Sequence, residues 1–393
     1  MSFFDSDDSL IDKDAVFGKV NAAPLLSSDF KPWHKPRKQF IRDVQWLNQF
    51  KMLFRERKYK EIDRVNYFGL PGGDLLDINY IYQGLVESNN LKDKLLGFYG
   101  FINSDKDYQK AQGEMTKLLD MEHVYNDSKI DSFSFEDLSK LNSDAWGRLS
   151  NFGVYHFVNL DFCHNVITEK TLPSLYYLID YQLKRVIGLP WLLCITTRLN
   201  KESTTGKLIE KFNDVISAFM VKNQDVSSKI QECFADVYKI LESFSGIQSV
   251  QEKRIVNEIL QICLVLWIIK ESVQREGEII LKSSFRYSID VFNPEEDMHS
   301  FVFYINRGDF CNGDQFGLVN VDSTKVPKNL DFEKLACQAI TKLNGTLNVD
   351  NHLKEDKEKF LFYAEQMMSL LSKCGYDISG YKSFMSNNYG YEF

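Results

Sequence analysis

Residues 66–81, "NYFGLPGGDLLDINYI", run from an apolar stretch through a turn carrying Gly69, Gly72 and Gly73 into a segment opened by Asp74. Leu75, Ile78, Tyr82 and Leu85 recur at helical spacing, so the stretch reads as strand (63–68), tight turn and helix (to about Ser88). Strands of the same apolar kind follow at 94–102 ("KLLGFYGFI"), 122–127 ("EHVYND"), 154–162 ("VYHFVNLDF") and 190–199 ("PWLLCITTRL"). Helical patterns separate them, at 107–119, from the S-x-x-D start signal Ser134–Asp137, and around 172–187. Continuously apolar strands are those of a parallel sheet covered on both faces. The expected fold is therefore α/β, a Rossmann-like, doubly wound, mostly parallel sheet.

Beyond residue 203 the pattern turns wholly helical to about 275, with the run "ILQICLVLWII" at 259–269, which is too short to span a bilayer and too apolar for a free helix. It should pack on the sheet or on a partner. "EIILKSSFRYSIDVF" and "MHSFVFYINRG" then read as an antiparallel pair joined by the "NPEED" turn (Asn293–Asp297), and 331–385 as a helical tail. The division expected is a polar arm and basic helix (1–60), a core (61–200), a helical insertion (201–277), a terminal strand pair (278–310) and a mostly helical end (311–393).

A glycine turn after the first strand of such a sheet lies where these folds bind nucleotides, across the carboxyl ends of the strands. "GLPGGD" matches neither G-x-x-x-x-G-K-[ST] nor G-x-G-x-x-G. Asp74, at a helix start, would repel a pyrophosphate placed there, because the helix N-terminus holds anions and a carboxylate already occupies it. A cationic ligand suits the turn better. The competing reading is a plain tight turn with Asp74 as an N-cap.

The layout resembles the class I S-adenosylmethionine-dependent methyltransferase superfamily over roughly 60–200 and 278–307. That resemblance implies S-adenosylmethionine as cofactor, held by Gly69, Gly72, Gly73 and Asp74. It puts Asp105 after the second strand on the ribose, with Asp107 close behind, Asp127 after the third near adenine, and Asp161 in "VNLDFCH" at the catalytic position. This chain departs from the superfamily's D/E-x-G-x-G-x-G, and "LDFC" replaces the [DN]-P-P-[FY] of amino-directed members. Two functions follow: an active methyltransferase, or a catalytically inactive interaction subunit of that fold. A nuclease-like metal site on Asp74, Asp127 and Asp161 lacks an accompanying E-x-K, and Cys163–His164 lacks further ligands at metal spacing, so no metal is expected.

Charge adds a further candidate. Residues 31–60 hold ten Lys/Arg and two acids, a local +8 in a chain of net charge −8. Trp33, Phe40 and Trp46 interleave with Lys35, Arg37, Lys38 and Arg42, a pattern suited to phosphates and stacked bases. The segment therefore reads either as a nucleic-acid-binding helix or as an electrostatic clasp onto the acidic remainder. Seven scattered cysteines without C-x-x-C, no signal peptide and no membrane-length apolar run make a cytoplasmic protein with reduced thiols the expectation.

Overall fold

The computed structural model describes residues 26–89, 91–202, 204, 206–242, 250, 252–289, 298–308 and 330–391. The "NPEED" turn lies outside them. Helix α1 (36–53) enters first and contains a middle turn, Ile41–Leu47, widened to π geometry. Then come β1 (Arg64–Gly69), α2 (Leu76–Val86), β2 (Leu95–Phe101), α3 (Asp105–Leu119), β3 (Lys129–Asp131), α4 (Asp144–Phe152), β4 (Phe157–Asp161), α5 (Thr171–Arg185) and β5 (Pro190–Arg198). Four helices follow: α6 (Gly206–Lys222), α7 (Gln224–Cys233), α8 (Ala235–Glu242) and α9 (Lys253–Val273). The chain returns to the sheet with β6 (Gly277–Tyr287) and β7 (Met298–Arg307). It ends with α10 (Phe332–Asn344), β8 (Leu347–Asn348), α11 (Val349–Glu355), α12 (Lys357–Lys373) and α13 (Ile378–Tyr389).

The eight strands form one sheet in the order β3-β2-β1-β4-β5-β7-β6-β8. β1 to β5 pair in parallel, whereas β7 runs antiparallel to β5 and β6. This is the mixed, doubly wound Rossmann-like sheet expected from the sequence, closed by the expected antiparallel pair. The direction of winding reverses between β1 and β4.

Both faces are covered because successive strand residues point to opposite sides. Tyr67, Phe98, Phe157 and Leu192 pack under α1, α2 and α3, while their neighbours Phe68, Tyr99, Val158 and Leu193 pack under α4, α5, α9 and the other helices on that side. α9 is the crossover that covers the second face: Ile259, Leu260, Leu264 and Ile268 are fully buried there. A third cluster joins α12 and α13 to Leu76, Phe30 and Trp33, so the C-terminal helices pack onto the segment leading into α1 and the start of α2. Among the described residues, no helix is long and apolar enough to cross a membrane.

Two element boundaries differ from the sequence reading, one of a strand and one of a helix. The third strand is Lys129–Asp131, while 122–127 touches the sheet only through a bridge between Leu96 and Val124. The capping signal at Ser134 is real, but it starts a short 3-10 turn, Phe135–Ser139, in which the Ser134 N–H donates to Asp137 Oδ2 at 2.9 Å. The α-helix follows only at Asp144.

Candidate functional site

At the carboxyl ends of β1, β2 and β4 lies a cavity of about 330 Å³, beside the reversal point of the sheet. The glycine turn forms its floor. A Cβ on Gly72 would meet no atom within 4 Å, and Gly72 lines the cavity, so this glycine leaves open space where a ligand would sit. Gly73 serves the fold instead: a Cβ there would come within 3.0 Å of the Asp107 carbonyl oxygen, where α3 starts. At Gly69 a Cβ would collide with the Tyr67 ring. The turn delivers the chain to α2 through Leu75, which is buried and left-handed at φ 49° and ψ 31°. A side chain in that conformation costs about 1 kcal/mol.

Asp74 is buried and tied to three elements. Tyr376 O–H donates to its Oδ2 at 2.8 Å, Lys110 Nζ lies 2.5 Å from Oδ1, and His34 Nε2 is 3.8 Å from Oδ2. Burial opposes its charge, yet the His34 and Lys110 contacts prevail and hold the carboxyl below its ordinary range. His34 itself is pushed down from its ordinary value, chiefly by burial. One turn further, Asp77 accepts from Arg42 Nε at 2.6 Å.

Asp161 ends β4 on the cavity wall, and Lys38 Nζ donates to its Oδ1 at 2.6 Å. The ammonium also lies 4.6 Å from the Trp46 ring centroid. Burial acts to lower the Lys38 pKa, and the Asp161 charge more than reverses this, so Lys38 stays ionised.

Four cations of the basic segment therefore lie inside the protein rather than on a surface, while Arg55, Arg57, Lys58 and Lys60 at its far end are exposed. Lys35, Arg37, Lys38 and Arg42 are each 5% exposed or less. Arg37 Nη1 donates to Asp350 Oδ1 at 2.8 Å, and its Nη2 donates to the Ile289 carbonyl at 2.7 Å; Lys35 Nζ donates to the same carbonyl at 3.3 Å. Arg37, Lys38 and Arg42 are paired with carboxylates of the acidic remainder, as the clasp reading expects of them. The physical reason is that buried cations need paired carboxylates, and Asp77, Asp161 and Asp350 supply them.

Gly72, Asp74 and Asp161 are thus brought together, with Gly69 and Gly73 shaping the turn. Asp105 and Asp127 are not part of this wall. Asp105 occupies the first turn of α3, which Ser104 caps by accepting from the Asp107 N–H at 3.3 Å, and it faces solvent. Asn103 and Asp107 face the cavity in its stead. Asp127 precedes β3 and accepts from the exposed Tyr125 hydroxyl. The acid that closes β3 is Asp131, held by Tyr99 O–H at 2.6 Å and Arg148 at 3.2 Å, and the chain then sends Phe133, Phe135 and Glu136 to the cavity.

Sequence reasoning passed over Asp77, Asn103, Tyr287 and Tyr376, and ranked Asp107 behind Asp105. A signal existed for Asp77, one helical turn after Asp74. None existed for Tyr376, which reaches the glycine turn from 302 residues away. Among the described residues, no group of three or more His, Cys, Asp or Glu could hold a metal ion.

The lining carries five carboxylates (Asp74, Asp77, Asp107, Glu136, Asp161) against three cations (Arg37, Lys38, Arg42). A site with this excess favours a ligand bearing positive charge and disfavours polyphosphates.

A family model described as PP_RS20740-like matches residues 27–386. No curated protein matches the sequence. Among solved structures, loganic acid methyltransferase with SAH is similar at 11% identity and a TM-score of 0.32, over 73% of this chain and 99% of that one. StiE O-MT (residues 942–1257) is similar at 12% identity and a TM-score of 0.30, over 83% of this chain and 90% of that one. With so little backbone superposed, the functional reading rests on this chain's own geometry.

Proposed function

We propose that this chain, which belongs to the PP_RS20740-like family, is an S-adenosylmethionine-dependent methyltransferase that works in the cavity over Gly72, Asp74 and Asp161. The observation that carries the reading is the glycine turn: Gly72 opens onto a carboxylate-rich cavity at the reversal point of a Rossmann-like sheet. The residues present fit such a cofactor. Its ammonium and sulfonium suit a site with more carboxylates than cations, and it has no phosphate to clash with Asp74 and Asp77 at the start of α2. Asn103 and Asp107 would hold the ribose side, and Phe133 and Phe135 would flank the base.

The cofactor supplies an electrophilic methyl group. The chain's own task is to bind, orient and exclude water. α1 walls the site, Lys38 fixes Asp161, Arg42 fixes Asp77, and Tyr376 from the C-terminal region fixes Asp74. Because Arg37, Lys38 and Arg42 are spent on carboxylate pairs, the helix that carries them is a structural cover in this reading, not a nucleic-acid anchor.

Titration calorimetry tests the reading. S-adenosylmethionine and S-adenosylhomocysteine should bind the wild type, whereas ATP and NAD should not. Tight binding of ATP without either adenosyl sulfur compound would replace the proposal with a nucleotide-dependent one.

A further inference from the structure

The winding of the sheet reverses between β1 and β4, so the loop after β4 faces the glycine turn across the ligand crevice. That loop carries Cys163 and His164, neither of them used in holding the cofactor. Its backbone is fixed to the end of β5: the His164 carbonyl accepts from the Arg198 N–H at 3.1 Å and from the Thr197 hydroxyl at 3.0 Å. The His164 ring lines the cavity, with its centroid 5.4 Å from that of Phe162. Its Nδ1 lies 3.1 Å from the Asn165 carbonyl oxygen. A carbonyl only accepts, so Nδ1 carries the hydrogen and Nε2 presents a lone pair.

Nε2 lies 3.8 Å from Glu136 Oε1, too far for a hydrogen bond and close enough for charge to act. Glu136 also lines the cavity, from the turn after β3. Thr171 Oγ1 donates to its Oε1 at 2.9 Å, and Ser134 Oγ donates to its Oε2. Burial opposes the Glu136 charge, yet these hydroxyls prevail and hold the carboxyl below its ordinary range. A proton arriving at Nε2 therefore makes a cation beside a standing carboxylate. The other groups lining the cavity are less suited to take one. Asp161 is paired with Lys38, Asp77 with Arg42 and Asp74 with Lys110. Burial pushes up the Cys163 thiol and the Tyr287 phenol, so neither ionises readily.

We propose that His164 is the general base of the transfer, taking the proton from an uncharged acceptor that bears a weakly acidic O–H or S–H, of the phenol or thiol kind. This rests on the methyltransferase reading above. The acceptor's proton passes to His164 Nε2. Its oxygen or sulfur bonds to the methyl carbon as that carbon's bond to the donor sulfur breaks, and the electron pair stays on the donor. The imidazolium, stabilised by Glu136, then releases its proton to water. Phenols at about 10 and thiols at about 8.5 lie within reach of an imidazole base, whereas an aliphatic alcohol holds its proton too tightly. A lining with more carboxylates than cations repels a carboxylate acceptor, and it keeps an amine protonated, with no lone pair to methylate.

The test uses the full chain with methyl-tritiated S-adenosylmethionine and two probes, 4-methylphenol and 4-methylthiophenol. Wild type should label one of them as a base-stable ether or thioether, and the product tells oxygen from sulfur. His164→Ala should lower the rate about a hundredfold or more, the scale of general-base catalysis. Added imidazole should restore part of that rate, because the His164 side chain is 54% exposed and its place is open to solvent. The same exposure should leave the variant's melting temperature and its calorimetric affinity for S-adenosylhomocysteine equal to wild type's. Glu136→Gln, at a positioning residue, should lower kcat and leave KM for the probe unchanged. Methylation of neither probe, or transfer to benzoate or benzylamine instead, overturns the acceptor class. A His164→Ala rate equal to wild type's, or a loss that imidazole does not restore, overturns the base. Failure of wild type to bind S-adenosylhomocysteine at all overturns the methyltransferase reading itself.

Discussion

Lys38 and Asp161 stand 123 residues apart in sequence and 2.6 Å apart in space, and neither position announces the other. The strand end was readable, because an aspartate after "VYHFVNL" must leave a buried sheet at its ligand edge. Its partner was not, because a Lys in a basic run looks the same whether it faces phosphate or a buried acid. Lys38→Met should cost roughly 3 kcal/mol or more in chemical denaturation, since it leaves Asp161 uncompensated. Adding Asp161→Asn should restore most of the loss; a double variant as unstable as the single one would show that packing, not charge, is at stake. The glycines separate in the same way. Gly72→Val should keep the melting temperature and abolish cofactor binding, because its Cβ enters open cavity. Gly73→Ala should instead lower stability, with a Cβ 3.0 Å from the Asp107 carbonyl. The reverse pattern would mean that the turn does not face the ligand.

Among the elements, periodicity located β1, β2, β4, β5 and the β6–β7 pair to within a few residues, because two-sided burial demands apolar runs that are hard to mistake. β3 was misplaced because an edge strand of three residues carries too little pattern. The consequence spread to the site: Asp127 was chosen where Asp131 closes the strand, and Asp105 where a Ser104 cap turns the helix outward. The two-residue β8, parallel to β6, left no signal at all. For the apolar run 259–269, packing was expected on the sheet or a partner, and α9 lies on the sheet, against α5, α10 and β6. Leu266→Asp should therefore unfold or strongly destabilise the chain, since it buries an unpaired charge in a residue 6% exposed. A soluble variant with an unchanged melting curve would contradict that packing.

At the scale of the molecule, acid should weaken the fold well above the carboxylate range. His156 is held at about 4, chiefly by burial and then by Arg64, and His299 at about 3, chiefly by burial and then by Arg286. His156 Nδ1 accepts the Asn66 backbone N–H at 3.0 Å, a bond that protonation would break. Both pKa values lie below the unfolded value near 6.5, so from that pH downward the unfolded chain binds more protons and stability falls as pH falls. Each histidine should remove about 2 kcal/mol between pH 7 and pH 5. His156→Asn keeps an acceptor for Asn66 and should reduce that slope in denaturation series at the two pH values; an unchanged slope would mean that His156 titrates normally. The same whole-chain logic governs the site, which is assembled from the segment before α2, the glycine turn and a C-terminal tyrosine 302 residues away from it. Its central claim is that this assembly holds a sulfonium cofactor. Titration calorimetry of the full chain with S-adenosylmethionine measures that directly. One-to-one binding that is lost in Gly72→Val at an unchanged melting temperature is the result predicted here. No heat at millimolar cofactor from well-folded wild-type protein would contradict it.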